Sequence, residues 1–419
     1  MRVSVYTRRL AVVAVAVVTL STGTGTAAFA APGAHNVPAG MVTAGQADKP
    51  LHAPDPVDIK AKPKATTCKT RCVRVGPAPA PAVTSASVRK LAKSAAAADT
   101  GFVAWPDWCD TNVNQGIFYD RTEACESLGI TLQTINIVDD EEIVVGEIVL
   151  VFVSYSYLST TSASWVHEVQ TQALSAWGDA TLAAVTAVAE SDFGCRPQGY
   201  TFNGGAMLPL HTARQGVADF TAASTATGSV GYCTTEWSLI FDVPTYNFWE
   251  LDLPTVQVRC DNATGGTSSP GCVFPDYPAA LIYSISAHPS LALHVFEAQQ
   301  SGLPGGSYDA PLSRNTDEIL NDANREEACG DALTIAGLSC DEYPPASSQQ
   351  GLAFEEGAGR RTSEGCYFDD LPINQTGPYG VSVCMIEEGD QDAQGGLNSQ
   401  FYRANRVLDG DPFVIFLSE

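Results

Sequence analysis

The chain predicts two domains, an N-terminal all-β, disulfide-tied, sandwich-like domain followed by an α+β domain. Three observations carry this reading. Val, Ile, Thr and aromatic residues with partial alternation dominate Ile130–Val138, Ile143–Tyr157 and Trp237–Trp249. Helical patterning appears only later, over Pro289–Gln300 and Asp317–Cys329. Twelve cysteines, an even number, fall in sequence-local couples.

In chain order, residues 1–30 read as an export signal. Arg2, Arg8 and Arg9 precede the apolar run from Leu10 to Leu20, and Ala28-Phe29-Ala30 is an A-x-A cleavage site. That run is short for a bilayer span, so the mature chain is expected to be secreted and extracellular. Residues 31–98 are rich in Ala, Pro, Lys and Thr, with Pro77-Ala78-Pro79-Ala80-Pro81 as a stiff spacer. They read as a disordered linker or pro-region.

Residues 99–255 form the β-rich domain. Asp139-Asp140 reads as the turn between its first two long strands, and Asn203-Gly204-Gly205 punctuates a later one. No catalytic motif stands out there. His167-Glu168 lacks the second histidine of a zinc-binding helix and reads as an exposed strand pair. Residues 256–419 form the α+β domain, with further strands at Val381–Ile386 and Val407–Leu417, the latter turning at Asp409-Gly410.

Short loops close cheaply, so nearest-neighbour disulfides are expected: Cys68–Cys72, Cys109–Cys125, Cys195–Cys233, Cys260–Cys272, Cys329–Cys340 and Cys366–Cys384. No CxxC doublet or Cys/His cluster favours zinc instead. Charge is uneven. All seven lysines lie at or before Lys93, and from Ser94 onward ten arginines face forty-four acids, a balance of −34. Such a body repels a polyanion at long range, so any nucleic-acid site must be locally electropositive, cation-bridged or used in high salt.

One set of motifs is specific. Cys340-Asp341-Glu342-Tyr343-Pro344 is followed by Val383-Cys384-Met385-Ile386, Gln394-Gly395-Gly396, Phe401-Tyr402 and Arg406-Val407-Leu408-Asp409-Gly410-Asp411-Pro412-Phe413. In this order and spacing the C-terminal part, from about Val258 to Leu417, resembles the NucA/NucB family of secreted, metal-dependent deoxyribonucleases. The resemblance implies a metallonuclease-like α+β fold, a DNA substrate and a divalent cation, Mg²⁺, Mn²⁺ or Ca²⁺, held by oxygen ligands. It places the acidic pair Asp341 and Glu342 at the active centre. Neighbours on an extended segment point oppositely, so Asp341 is preferred for chemistry and Glu342 for an orienting role. His294 matches an upstream histidine and is the candidate general base, a packing histidine being the other reading.

Two positions depart from the pattern. Gln349-Gln350-Gly351 stands where the family carries Glu-Gly, and Glu356 is a candidate replacement ligand. Gln391 stands where an Asn is expected, flanked by Asp390 and Asp392, so all three are candidate metal ligands. Arg259, Arg314, Arg325 and Arg406 are candidate phosphate contacts, with structural ion pairs as the competing role. Two alternatives follow from these departures. The C-terminal domain is then a decayed nuclease kept as a binding module, or the β domain is the functional unit, binding cell-wall material or glycan.

Overall fold

The computed structural model describes residues 50–52, 70–78, 82–96, 103–223, 225–354, 359–373 and 375–419. The expected export signal and Cys68 lie outside them. Among these residues an eight-stranded antiparallel sheet runs, by segment, 51–52, 117–119, 123–138, 141–157, 164–178, 214–222 and 195–202, with 71–77 also paired to 123–138. The hairpin between Glu123–Val138 and Glu141–Tyr157 turns at Asp139 and Asp140, both at positive φ (51° and 63°). That is the mirror-type two-residue turn that matches strand twist.

A four-stranded sheet faces it, ordered 249–254, 235–242, 184–191 and 205–206. Leu128, Ile130, Leu150 and Phe152 of the first sheet share one core with Val185, Trp237, Phe241 and Leu251 of the second. Phe152 and Phe241 meet edge-to-face at 5.9 Å. This is a sandwich core, built by one apolar face from each sheet.

Three expectations change. The single strand read over Trp237–Trp249 is two, Thr235–Asp242 and Trp249–Pro254, because Pro244 cannot donate to a ladder and Thr245 turns at φ 74°. The segment read as a disordered linker contributes the strand Arg71–Pro77 and the helix α1, Ser85–Ala96. Val88 and Leu91 of α1 are buried with Val149, Val151 and Tyr155, covering the outer face of the large sheet. For that reason His167 and Glu168 are buried rather than exposed: both faces of their strand are covered. His167 lies between Ser154 Oγ (2.8 Å) and Thr235 Oγ1 (3.1 Å), and burial holds its imidazole down at about 3.

The C-terminal elements are a strand Ala279–Ser284, α2 (Pro289–Gln300), α3 (Glu318–Cys329), strands Leu338–Tyr343 and Val381–Glu387, α4 (Glu388–Ala404) and a last strand Pro412–Ser418. Pro412–Ser418 pairs in parallel with Ala279–Ser284 and antiparallel with Leu312–Ser313. The turn expected at Asp409-Gly410 is present, with Asp411 accepting from Leu408 N and Gly410 at φ 78°, but the strand begins only after it, at Pro412 rather than Val407. Among the described residues five disulfides form, Cys109–Cys125, Cys195–Cys233, Cys260–Cys272, Cys329–Cys340 and Cys366–Cys384. No described helix is long and apolar enough to cross a membrane.

A buried charge cluster ties the β-rich segment to these elements. Arg121 donates to Asp411 (2.9 Å) and to the carbonyls of Phe274, Pro275, Tyr277, Asn405 and Arg406. Arg259 donates to Asp411 and to the Arg406 carbonyl. Arg406 donates to Asp261 (2.9 Å) and to the Thr160 carbonyl (2.8 Å). Burial pulls the Arg121 guanidinium down to about 10, against the opposing charge of Asp411. Burial pushes the Asp261 carboxyl up, but its bonds to Arg406 and Thr264 outweigh that and hold it below its usual range.

Two stability predictions follow from these buried groups. Asp411→Asn removes the carboxylate bonded to both Arg121 and Arg259, leaving only Asp261, 3.7 Å from Arg259, and is expected to cost about 3–5 kcal/mol, read as a lower urea midpoint. Burial pushes the Glu126 carboxyl up to about 7. A raised acid favours the folded state while protonated, so this stabilisation is lost as pH rises from about 4.5 through about 7. Glu126→Gln is therefore expected to raise stability at pH 8, by about 3 kcal/mol at most, read as a higher thermal midpoint, and to leave it unchanged at pH 4.

Candidate active site

Strand Leu338–Tyr343 pairs antiparallel with Val381–Glu387. Alternation turns Asp341 and Tyr343 to one face, Cys340 and Glu342 to the other. Across the first face lies α2. It starts at Pro289, which suits a first helical turn, and buries Leu291, Ala292, His294, Val295 and Ala298 along one stripe.

That stripe sets His294 between the two strands. Its Nδ1 is 2.7 Å from Asp341 Oδ2 and its Nε2 is 3.0 Å from Ser382 Oγ. The carboxylate accepts, so Nδ1 carries the proton and Nε2 accepts from the serine hydroxyl. All three side chains are buried. This serine–histidine–aspartate line has the hydrogen-bond order of a proton relay. Asp341 Oδ1 and Gln391 Oε1 are both buried without a hydrogen-bond partner. Tyr283 donates to Asn398 of α4 at 2.6 Å, and burial, then the charges of Tyr402 and Asp341, push its phenol well up.

Ser382 also forms part of the wall of a cavity of about 380 Å³, with Glu297, Gln300, Thr362 and Glu364. Arg361 closes one side. It is buried and donates to the carbonyls of Ser301, Gln375, Gly377 and Tyr379, while its Nε has no partner. The relay thus meets a cavity at its serine end.

Of the residues singled out from sequence, Asp341 and His294 come together. Glu342 does not join them: it faces α3, with Cys329 Sγ 3.8 Å away. Burial, then the charge of Asp341, pushes its carboxyl up to about 7, against the pull of Arg325. Asp390 is not free for a metal, because it caps α2, accepting from Ser290 N (2.9 Å), Ser290 Oγ (2.6 Å) and Leu291 N. Asp392 is exposed, and Glu356 lies outside the described residues. Gln350 accepts from Ser313 N at 3.0 Å, so it holds a loop together.

Arg259 and Arg406 are interior ion-pair residues, at 1% and 0% exposure, so their guanidinium groups are closed off from solvent. Arg325 pairs with Asp322 on the surface of α3 (2.7 Å). Arg314 lies over the Tyr402 ring, 3.7 Å from its centre. Sequence reasoning missed Ser382, Tyr283, Asn398 and Arg361. A signal for Ser382 existed, since it is two residues from Cys384 and four from Ile386 and shares their inward face.

No curated protein matches the chain. A family model described as Deoxyribonuclease NucA/NucB matches residues 307–416. The match takes in Asp341, Ser382 and α4, while α2 with His294 precedes it. The C-terminal part of this chain therefore carries a NucA/NucB deoxyribonuclease domain.

Proposed function

We propose that this protein is a secreted, metal-dependent endonuclease that hydrolyses DNA phosphodiester bonds without sequence preference. The observation that carries the reading is the His294–Asp341 pair, joined through Ser382 to a cavity whose wall is shared between α2 and the matched residues. Five disulfides favour an oxidising, extracellular setting.

In this reading Asp341 Oδ2 fixes the imidazole tautomer, leaving Nε2 as the acceptor. A proton from the attacking water reaches Nε2 by way of the Ser382 hydroxyl, which passes one proton inward as it takes one from the cavity side. Asp341 Oδ1 and Gln391 Oε1 are hard oxygen donors without partners, which suits a hard divalent cation. A cation held by such oxygens would offset charge on the phosphoryl oxygens. Backbone contacts rather than base contacts are expected, which fits a non-specific cut.

Plasmid nicking is expected from the disulfide-intact chain with Mg²⁺, Mn²⁺ or Ca²⁺ and to vanish in chelator. Asp341→Asn, folded by circular dichroism, should lose about a hundredfold or more of the rate. Nicking that survives both treatments would sink the reading. Ser382→Ala should lower kcat about tenfold or more with KM little changed, and Ser382→Thr should recover most of it. Equal kcat for Ser382→Ala and the parent would remove the serine from the relay.

A further inference from the structure

From Val258 onward the chain has seven arginines and no lysine. Most are already committed. Arg259 and Arg406 lie in the buried cluster, Arg325 and Arg360 pair with Asp322 and Asp331, and Arg361 is enclosed by carbonyls. Arg314 and Arg403 remain, and both line one cavity of about 530 Å³. It lies between the C-terminal half of α4 and the loop 263–265.

Neither arginine makes an ion pair among the described residues, although the charge of Asp409 acts on Arg314 from the same wall. Arg314 stacks on Tyr402 and donates Nη1 to the Ser347 carbonyl (3.0 Å), while its buried Nε has no partner. Arg403 is exposed, and its side chain makes no ion pair or hydrogen bond with the described residues. Its guanidinium lies against the backbone of Gly266, at φ 76°, where a Cβ would come within 2.6 Å of Nε. The one acid on the wall, Asp409, is bonded to Thr316 N (2.9 Å) and Thr316 Oγ1 (3.1 Å). Two arginines against one aspartate make this cavity locally cationic, in a body whose balance from Ser94 is −34.

We infer that this cavity binds a backbone phosphate of the nucleic acid, at a subsite apart from the Asp341–His294 pair. The inference rests on the nuclease reading and extends it by naming where the polyanion is gripped. Planar guanidinium groups suit phosphodiester oxygens, and the walls add the hydroxyls of Thr316 and Ser399. Tyr402 is buried beneath Arg314, so no exposed ring is offered for stacking a base. Gln391 and Arg403 are twelve positions apart on α4, about 18 Å of helix rise, so the contact is with a phosphate remote from the scissile bond.

The test is fluorescence anisotropy of a labelled DNA duplex with the full chain in chelator, across a salt series. Arg403→Gln and Arg403→Lys are compared with the parent, and plasmid nicking with metal is measured in parallel. Arg403→Gln should lower the log–log salt slope by about one and weaken binding about tenfold at 0.1 M salt. Arg403→Lys should keep the slope, since it keeps the charge. An unchanged slope and affinity in Arg403→Gln, or no duplex binding by the parent at any salt, would overturn the subsite. Nicking without Arg403 dependence rejects the subsite and leaves hydrolysis standing. Arg403-dependent binding without nicking does the reverse.

Discussion

The buried cluster of Arg121, Arg259, Arg406, Asp261 and Asp411 is the constraint on which the C-terminal fold depends. Its members come from a loop before the long β hairpin, the strand Val258–Asp261, the end of α4 and the turn before the last strand. Three guanidinium groups face two carboxylates, so the excess charge is answered by backbone carbonyls, those of Thr160, Phe274, Pro275, Tyr277, Asn405 and Arg406. Each such bond fixes a loop as well as a charge. A buried ion cluster adds little net stability over an apolar one, but losing one member leaves its partners unpaired in a low dielectric. The arrangement therefore specifies one geometry more than it strengthens it.

That geometry reaches the site through the last strand. Asp411 immediately precedes Pro412–Ser418, which pairs with Ala279–Ser284, the strand that leads into α2. His294 is carried by α2, while Asp341 and Ser382 sit on the neighbouring sheet. The Asp390 cap on α2 adds a tie from α4, at the end of α2 remote from the cavity. A segment that stopped at the matched residues would lack Arg121, Arg259 and α2 together. Among the described residues, the β-rich segment and the C-terminal elements accordingly form one compact unit.

What was legible in the sequence follows from how local the signals are. Pro289 and the spacing of Leu291, His294, Val295 and Ala298 mark α2 without help from elsewhere. The Asp139-Asp140 turn and the sequential disulfides are equally local. The helix α4 was hidden because Gly389, Gly395 and Gly396 lower helix propensity, and it is held by packing on α2 and the Asp341 strand instead. Strand Arg71–Pro77 and α1 were masked by a Pro- and Lys-rich composition, although Val88 and Leu91 are three apart on one face. Arg259 and Arg406 look from sequence like phosphate ligands, since only tertiary contacts show their anions.

The same sorting of arginines shapes how an acidic body meets a polyanion. Of ten arginines from Ser94 onward, Arg121, Arg259, Arg361 and Arg406 are interior, so their charge does little to soften the outer field. Long-range approach to DNA is then unfavourable at low ionic strength and eased as salt shortens the Debye length to about 8–10 Å. Direct phosphate contacts oppose this trend, because each one weakens as salt rises. Screening of the body and loss of contacts therefore pull in opposite directions. With so few uncommitted arginines, the number of phosphate contacts that rising salt can weaken is itself small.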